Sequence, residues 1–315
     1  MKAWMRVLIV IFKSSKQKRQ LTFGINYLLE NQTEDLSINI TGNKYMSALK
    51  DNCTIQIDNL TYKELVELIR GEYDSVEVKS GYRTSGVQTI FKGGILYISQ
   101  SLGDKKTTTA TILCASELVA KYNKNRLNLT LNSGINMYSA LNFICKVAGI
   151  PNSNISTQLK KEFVQDIVNV NGGVGNYIEN LMNNNSTYII NSDGTDNTNL
   201  MLYDASKSNN RIIELNSNNI LLSGGFPTLN KDGLNISLLP TFGFMCGDVI
   251  KIDNSIIDIS TTSFSTDEYS KGYYLDKEGM YIIYEISYKL QNRGTNFSLN
   301  LKCKPRSLMS NILGG

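Results

Sequence analysis

The sequence contains no histidine. That absence removes the serine–histidine and cysteine–histidine nucleophiles, the histidine general base and the histidine metal ligand. Tryptophan occurs once and proline four times. A sugar-binding surface built on exposed tryptophan therefore has little to work with. The five cysteines, Cys53, Cys114, Cys145, Cys246 and Cys303, are scattered singly with no C-x-x-C pair. They read as small buried hydrophobes made in a reducing compartment. No apolar run approaches the ~20 residues that cross a bilayer. Val7–Phe12 follows Lys2 and Arg6, as a signal peptide might. Lys13, Lys16, Lys18 and Arg19 come next, without a small-residue cleavage site, so a first β-strand is the better reading. A soluble protein with no membrane insertion is expected. Lys+Arg 32 against Asp+Glu 28 leaves a net charge of +4 on 315 residues. That excess is too small to argue for specific nucleic-acid recognition.

What is present is ordinary for a folded chain: 41% hydrophobic and 19% charged residues. The length suggests two domains or one large elaborated one. The 36 asparagines lie mostly in turns and loops. With few prolines and many lysines and isoleucines, they are associated with AT-rich coding. Triplets such as Asn39-Ile-Thr41 and Asn128-Leu-Thr130 follow from that abundance, and none is read as a glycosylation site.

The first third reads as strands around one helix. Val7–Phe12, Leu36–Ile40 and Thr54–Ile57 are candidate strands, the last two alternating at period 2. Thr61 and Glu64 have capping-box spacing, with Leu65, Leu68 and Ile69 on one helix face and Gly71 at its end. Ser75–Lys79, Gln88–Phe91, Gly94–Gln100 and Thr107–Cys114 follow as strands, broken at Gly81, Gly86, Gly93 and Gly103-Asp104. An antiparallel barrel or sandwich is implied.

From Ser116 the character changes. Glu117–Tyr122 is a short helix candidate and Arg126–Leu131 an alternating strand. Met137, Leu141, Ile144, Cys145 and Ala148 form one helical stripe, with Asn136 as N-cap and Gly149 and Pro151 as stop. Val174, Ile178, Leu181 and Met182 mark a second helix. Thr187–Ile190 and Leu200–Tyr203 flank the turn signal Asp193-Gly194 and predict a strand pair. The last third returns to strands at Leu234–Leu238, Val249–Ile252, Ile256–Ile259, Tyr281–Leu290 and Phe297–Cys303. In the final one Phe297, Leu299, Leu301 and Cys303 share a face. The fold class expected is mostly β with an α+β insertion. No convincing internal repeat is present.

Several constellations invite a chemical reading. Asn171-Gly-Gly-Val-Gly175 opens a helix but lacks the Lys-Ser/Thr of a phosphate loop, which leaves a flexible start to the helix. Asp193-Gly-Thr-Asp196 offers two carboxylates, too few oxygens for a calcium loop. No motif singles out the facing carboxylates that a glycosidase needs. The basic stretch Lys13–Arg19 is either a solvated loop tip or an electrostatic contact for an acidic partner. Tyr273, Tyr274, Tyr281, Tyr284 and Tyr288 are either an interface or a strand face on a core. No catalytic, cofactor-binding or metal-binding residue is assigned, and no cofactor is expected.

Six segments taken together carry a resemblance. They are Thr54-Ile-Gln-Ile-Asp-Asn-Leu60 before the capped helix, Ile90-Phe-Lys-Gly93, Leu238-Leu-Pro240, Gly247-Asp-Val-Ile-Lys251, Gly279-Met-Tyr-Ile-Ile283 and Arg293-Gly294 before the closing strand. In this order the chain resembles the baseplate hub proteins of contractile-tailed bacteriophages. It departs from them at Tyr288, where the family often has histidine, and at Phe297, where it often has tryptophan. The resemblance implies two tail-tube-type antiparallel β-barrel domains, 1–116 and 226–306. They flank a peripheral α/β section, 117–225, and a C-terminal extension, 307–315, follows. It further implies a non-enzymatic homotrimer in the virion's tail baseplate, made in the host cytoplasm. The implied partners are the tail tube or a tube-initiator protein, the central spike protein and surrounding baseplate proteins. The other classes weighed are a tail-associated cell-wall glycosidase and a receptor-binding tail protein.

Overall fold

A computed structural model describes residues 6–24, 36–83, 86–102, 107–122, 126–150, 153–182, 188–191, 200–204, 211–215, 226–230, 233–240, 243–259 and 275–307. Strands from the first third are β1 (Arg6–Lys13), β2 (Gln20–Gly24), β3 (Ile38–Tyr45), β4 (Asn52–Asp58), β5 (Ser75–Tyr82), β6 (Gly86–Leu102) and β7 (Thr108–Ser116). The middle carries β8 (Arg126–Leu131), β9 (Ser153–Ile155), β10 (Val168–Gly173), β11 (Tyr188–Asn191), β12 (Leu200–Asp204) and β13 (Ile212–Glu214). The last third carries β14 (Thr228–Asn230), β15 (Gly233–Leu238), β16 (Val249–Lys251), β17 (Met280–Gln291) and β18 (Phe297–Pro305). The mostly β class with an α/β section is as expected.

The strands of the first and last thirds join in one 13-stranded sheet, whose main path runs β14-β15-β18-β17-β3-β4-β7-β6-β5-β1-β2, with β16 branching from β17 and β13 from β16. The joint is β3 against β17, antiparallel from Glu285 opposite Tyr45 to Gln291 opposite Asn39. β13 belongs to the middle by sequence, yet it pairs in parallel with β16 of this sheet. Alternation at period 2 sends Cys53, Ile55 and Ile57 of β4, Ile112 and Cys114 of β7, and Phe297, Leu299, Leu301 and Cys303 of β18 into one apolar cluster. Each Leu, Ile or Phe so buried contributes roughly 1.5–3 kcal/mol.

Helix α1 (Tyr62–Ile69) covers part of this core. Its capping box is complete: the Thr61 hydroxyl accepts from the Glu64 amide, and the Glu64 carboxylate accepts from the Thr61 amide at 2.9 Å. Leu65 and Leu68 are buried. Ile69, expected on the same face, is 56% exposed, because the core contact ends with the last turn.

The middle section has a core of its own. Helices α2 (Met137–Ala148) and α3 (Val174–Met182) bury every apolar residue of their expected stripes, and Tyr177 besides. Asn136 caps α2 through the Ser139 amide, and Gly149 ends it at φ +70°. The Tyr177 hydroxyl accepts from the Leu129 amide at 2.6 Å, which ties α3 to β8.

Four expectations are corrected. Gly93 does not break a strand. β6 runs through it, because extended backbone suits glycine and the Phe91 ring fills the space a side chain would need, 2.7 Å from an added Cβ. Gly81 likewise lies inside β5. Ile256–Ile259 is not a strand. Asp253 caps a 3-10 turn at Asn254–Ile256, after which only Asp258 bridges to Thr228. Asn171–Gly173 is no flexible loop, since those residues are laddered against Arg126–Asn128 of β8. The β11–β12 pair forms as predicted. Its turn, Asp193–Asp196, lies outside the described residues, as do Tyr273 and Tyr274.

Candidate assembly surfaces

The joint between the two strand groups is built around Tyr288. In the register it sits directly opposite Gly42, which faces Cys53, which faces Cys114. The tyrosine ring lies over Gly42, and its hydroxyl donates to the Asn52 carbonyl at 3.0 Å. An added Cβ at Gly42 would stand 2.6 Å from the ring carbon Cζ, and closer still to the hydroxyl and the Asn52 carbonyl. Glycine is needed here for room, not for a left-handed backbone. Burial raises the Tyr288 hydroxyl well above its ordinary range, and the neighbouring Cys53 thiol adds to the effect. Burial likewise pushes Cys53 up to about 12, against the opposing hydrogen bond from Tyr288 and the charge of Lys44.

Asn292 fastens the other end of the joint. Its side chain accepts from the Ile38 amide at 2.8 Å and donates to the Leu36 carbonyl at 2.7 Å. Arg6 at the start of β1 donates to the Gly294 carbonyl at 2.6 Å and lies 5.2 Å above the Phe297 ring. Tyr82 meets the same ring edge-on, with centroids 5.5 Å apart. The two positions that depart from the hub pattern, Tyr288 and Phe297, are thus the aromatic anchors between the strand groups.

The face of the sheet turned away from the core is polar, and two of its rows are uncharged, set beside charged positions such as Lys289, Lys302 and Glu285. One row across the strands reads Ser237, Asn300, Ser287, Asn43 and Asn52. The row four residues along reads Gln291, Asn39, Gln56, Thr111 and Ser99. Between them runs Ser298, Lys289, Thr41 and Thr54, which ends on the apolar pair Leu113 and Tyr97. Asn39 donates to Gln56 at 2.9 Å, and Lys302 pairs with Glu285 at 2.9 Å.

The basic stretch Lys13–Arg19 is the turn between β1 and β2, and its two ends are neutralised. Lys13 meets Glu77 at 2.6 Å, while Arg19 pairs with Glu72 and lies 5.4 Å over Tyr73. Lys16 and Lys18 stand exposed at the tip. Of the tyrosines, Tyr281 and Tyr288 are core residues, and Tyr284 is half-buried beneath the Lys304 ammonium at 5.1 Å.

The carboxylates of the interior are held by structure. Asp248 accepts from Arg211 at 2.6 Å and from the Met245 amide at 2.8 Å. Asp276 is buried, which pushes its carboxyl up. Hydrogen bonds from the Met280, Ser307 and Glu278 amides outweigh that and hold it below the ordinary range. Burial also opposes ionisation of Glu77, yet hydrogen bonds from Lys13 and Thr89, with the Lys13 and Lys79 charges, keep it low. Asp51 is the exception. Burial raises it to about 6, against the hydrogen bond from the Tyr45 amide and the charge of Lys44. A groove of about 460 Å³ between the ends of β13 and β16 is lined by both signs, with Lys251 on Glu214 at 3.0 Å. Among the described residues no His/Cys/Asp/Glu group is arranged to hold a metal ion. No helix among them is long and apolar enough to cross a membrane. All five cysteines are buried, as expected.

In fold the chain is similar to phage tail proteins of known structure. The 43 kDa tail protein of prophage MuSo2 from Shewanella oneidensis superposes with a TM-score of 0.57 over 98% of both chains, at 10% identity. A tail protein from Neisseria meningitidis MC58 gives 0.53 at 8% identity, covering 96% of this chain and 97% of its own. The E. coli c3393 protein gives 0.52 at 10% identity, covering 88% of this chain and 75% of its own. It is a component of the type VI secretion system, described as similar in structure to T4 bacteriophage tail proteins gp27 and gp5. No family model matches the sequence, and no curated relative does.

Proposed function

We propose that this chain is the structural hub of a phage tail baseplate. Three copies form a ring, and each supplies 1–116 and 226–306 as two tube-type units. Three chains with two such units each present six similar positions, so a three-fold central spike can meet a six-fold tail tube. Residues 117–225 form the peripheral section that faces surrounding baseplate proteins. The tail tube or its initiator binds on one side of the ring and the spike on the other. The protein works in the virion as an adaptor, not as an enzyme.

The observation that carries this reading is the β3–β17 joint. It sets the first and last strand groups side by side in one continuous sheet, which is how two units of one chain would take neighbouring places around an axis. The fit of a tail protein's fold along nearly the whole chain supports it. Light scattering on the purified protein tests it. A mass three times that of the chain is expected, and a stable single chain at high concentration would refute the ring.

A further inference from the structure

The row of facing residues that runs through Tyr288 and Gly42 continues across the first strand group. Gly42 of β3 stands opposite Cys53 of β4, Cys53 opposite Cys114 of β7, and Cys114 opposite Ile95 of β6. Two thiols thus face each other directly across neighbouring strands, on the core side of the sheet, 1% and 3% exposed. The register sets no other two of the five cysteines against each other. Cys303 faces Leu234 on one side and Ile283 on the other, Cys246 lies ahead of β16, and Cys145 belongs to the separate core of the middle section.

The end of the ladder shows which kind of pair this is. The Asn59 amide donates to the Thr108 carbonyl at 2.7 Å, one step beyond Asp58 opposite Thr109. Hydrogen-bonded pairs recur every second residue in an antiparallel ladder, and β4 and β7 pair without a register shift, so Cys53 and Cys114 are a hydrogen-bonded pair. Facing Cα atoms in such a pair are about 5.5 Å apart, inside the ~4.4–6.8 Å that a disulfide spans. Facing Cβ atoms are about 5.5 Å apart and a disulfide holds them at ~3.5–4.5 Å, so closure must draw them together by about 1 Å. A bond made under that strain is also readily reduced. The way in is from β6, whose bulge between Ile95 and Tyr97 interrupts the ladder beside Cys114. Leu96 and Tyr97 there are 52% and 60% exposed.

We propose that Cys53 and Cys114 are a reversible redox pair, two thiols in a reducing compartment and a cross-strand disulfide under oxidising conditions. The oxidant is a small disulfide of the glutathione class. One thiolate attacks its S–S bond and releases one small thiol, leaving a mixed disulfide on the protein. The second cysteine, giving up its proton, attacks the protein sulfur of that mixed disulfide and releases the second small thiol. Two protein thiols are oxidised and one small disulfide is reduced. Burial raises both thiols above their ordinary range, so the exchange waits on local opening and is slow. Closure fastens β4 to β7 in the row that also carries the β3–β17 joint. The pair lies within one chain and does not depend on the ring.

Oxidation of the reduced, full-length protein with oxidised glutathione tests it. The chain should lose the mass of two hydrogens, slowly in native buffer and faster in urea below the unfolding transition. A digest made without reductant should join the Cys53 peptide to the Cys114 peptide, and dithiothreitol should undo the link. The bond closes a loop of about 60 residues and should raise the thermal midpoint by about 5 °C or more. Cys114→Ala should show neither the link nor the rise. A link between Cys246 and Cys303, glutathione adducts without an internal link, or an unchanged mass after prolonged exposure would each overturn the proposal. A link that lowers the midpoint would mark a bond forced on the fold and would overturn it too. Should Cys114→Ala fail to fold, the digest of the parent decides.

Discussion

Gly42→Ala is the sharpest perturbation of the joint between the strand groups. The new methyl would stand 2.6 Å from Tyr288 Cζ, with the Asn52 carbonyl on its other side. Carbon atoms in contact prefer about 3.5–4.0 Å, so the ring must move by about 1 Å. Overpacking a filled core costs ~1–3 kcal/mol. The displaced hydroxyl also leaves the Asn52 carbonyl, which adds about 1–3 kcal/mol for a buried acceptor without a partner. A loss of about 3 kcal/mol is expected from both, a large share of the ~5–15 kcal/mol that holds a typical folded domain. Tyr288→Phe removes only the hydroxyl and should cost about 1–2 kcal/mol. Because both changes sever the same hydrogen bond, the double variant should cost about 1 kcal/mol less than the two single losses added. Urea titration followed by circular dichroism reads all three. The reasoning fails if Gly42→Ala lies within ~0.5 kcal/mol of the parent, the range of an inconsequential surface change. Strictly additive losses would also refute it.

Other predictions follow from single contacts. Asn292→Ala removes both bonds to the start of β3 and should cost about 2 kcal/mol in the same titration; a cost near zero would show that water replaces them. Asp51, raised to about 6 in the fold, holds its proton more tightly there than in the unfolded chain. Stability should therefore fall by order of 2 kcal/mol as pH rises from about 4 to 6, and Asp51→Asn should flatten that slope. Stability that rises over this window in the parent and not in the variant would contradict the assignment. Thr61→Ala breaks the capping box and should cost about 1 kcal/mol. The five thiols should resist an aromatic disulfide reagent until urea unfolds the chain; a rapidly reacting thiol in native buffer would contradict their burial.

Local signals account for much of what the sequence showed. The Thr61–Glu64 box, the Asn136 cap with Gly149, and the strict alternation from Phe297 to Cys303 each depend on near neighbours, and each was visible in advance. The errors arose where a distant residue decides. Gly93 looks like a break until the Phe91 ring is seen to fill the space beside it. Ile256–Ile259 alternates like a strand, but Asp253 turns the chain just before it. The β3–β17 joint has no local signature, because Gly42 and Tyr288 lie far apart in the chain. In the sequence Tyr288 is one of a tyrosine cluster and a departure from a family pattern, neither of which points to Gly42. Its role follows from the glycine opposite and the carbonyl beyond. The length of β6 was hidden for the same reason: splitting that strand at Gly93 concealed how far it runs past β5.

The most direct measurement is a reconstruction of intact tail particles into which the chain can be traced. The account predicts three copies around the axis at the tip of the tube, with first and last strand groups alternating as six neighbouring units. Six copies with one strand group each at the axis, or a chain found away from that axis, would contradict it.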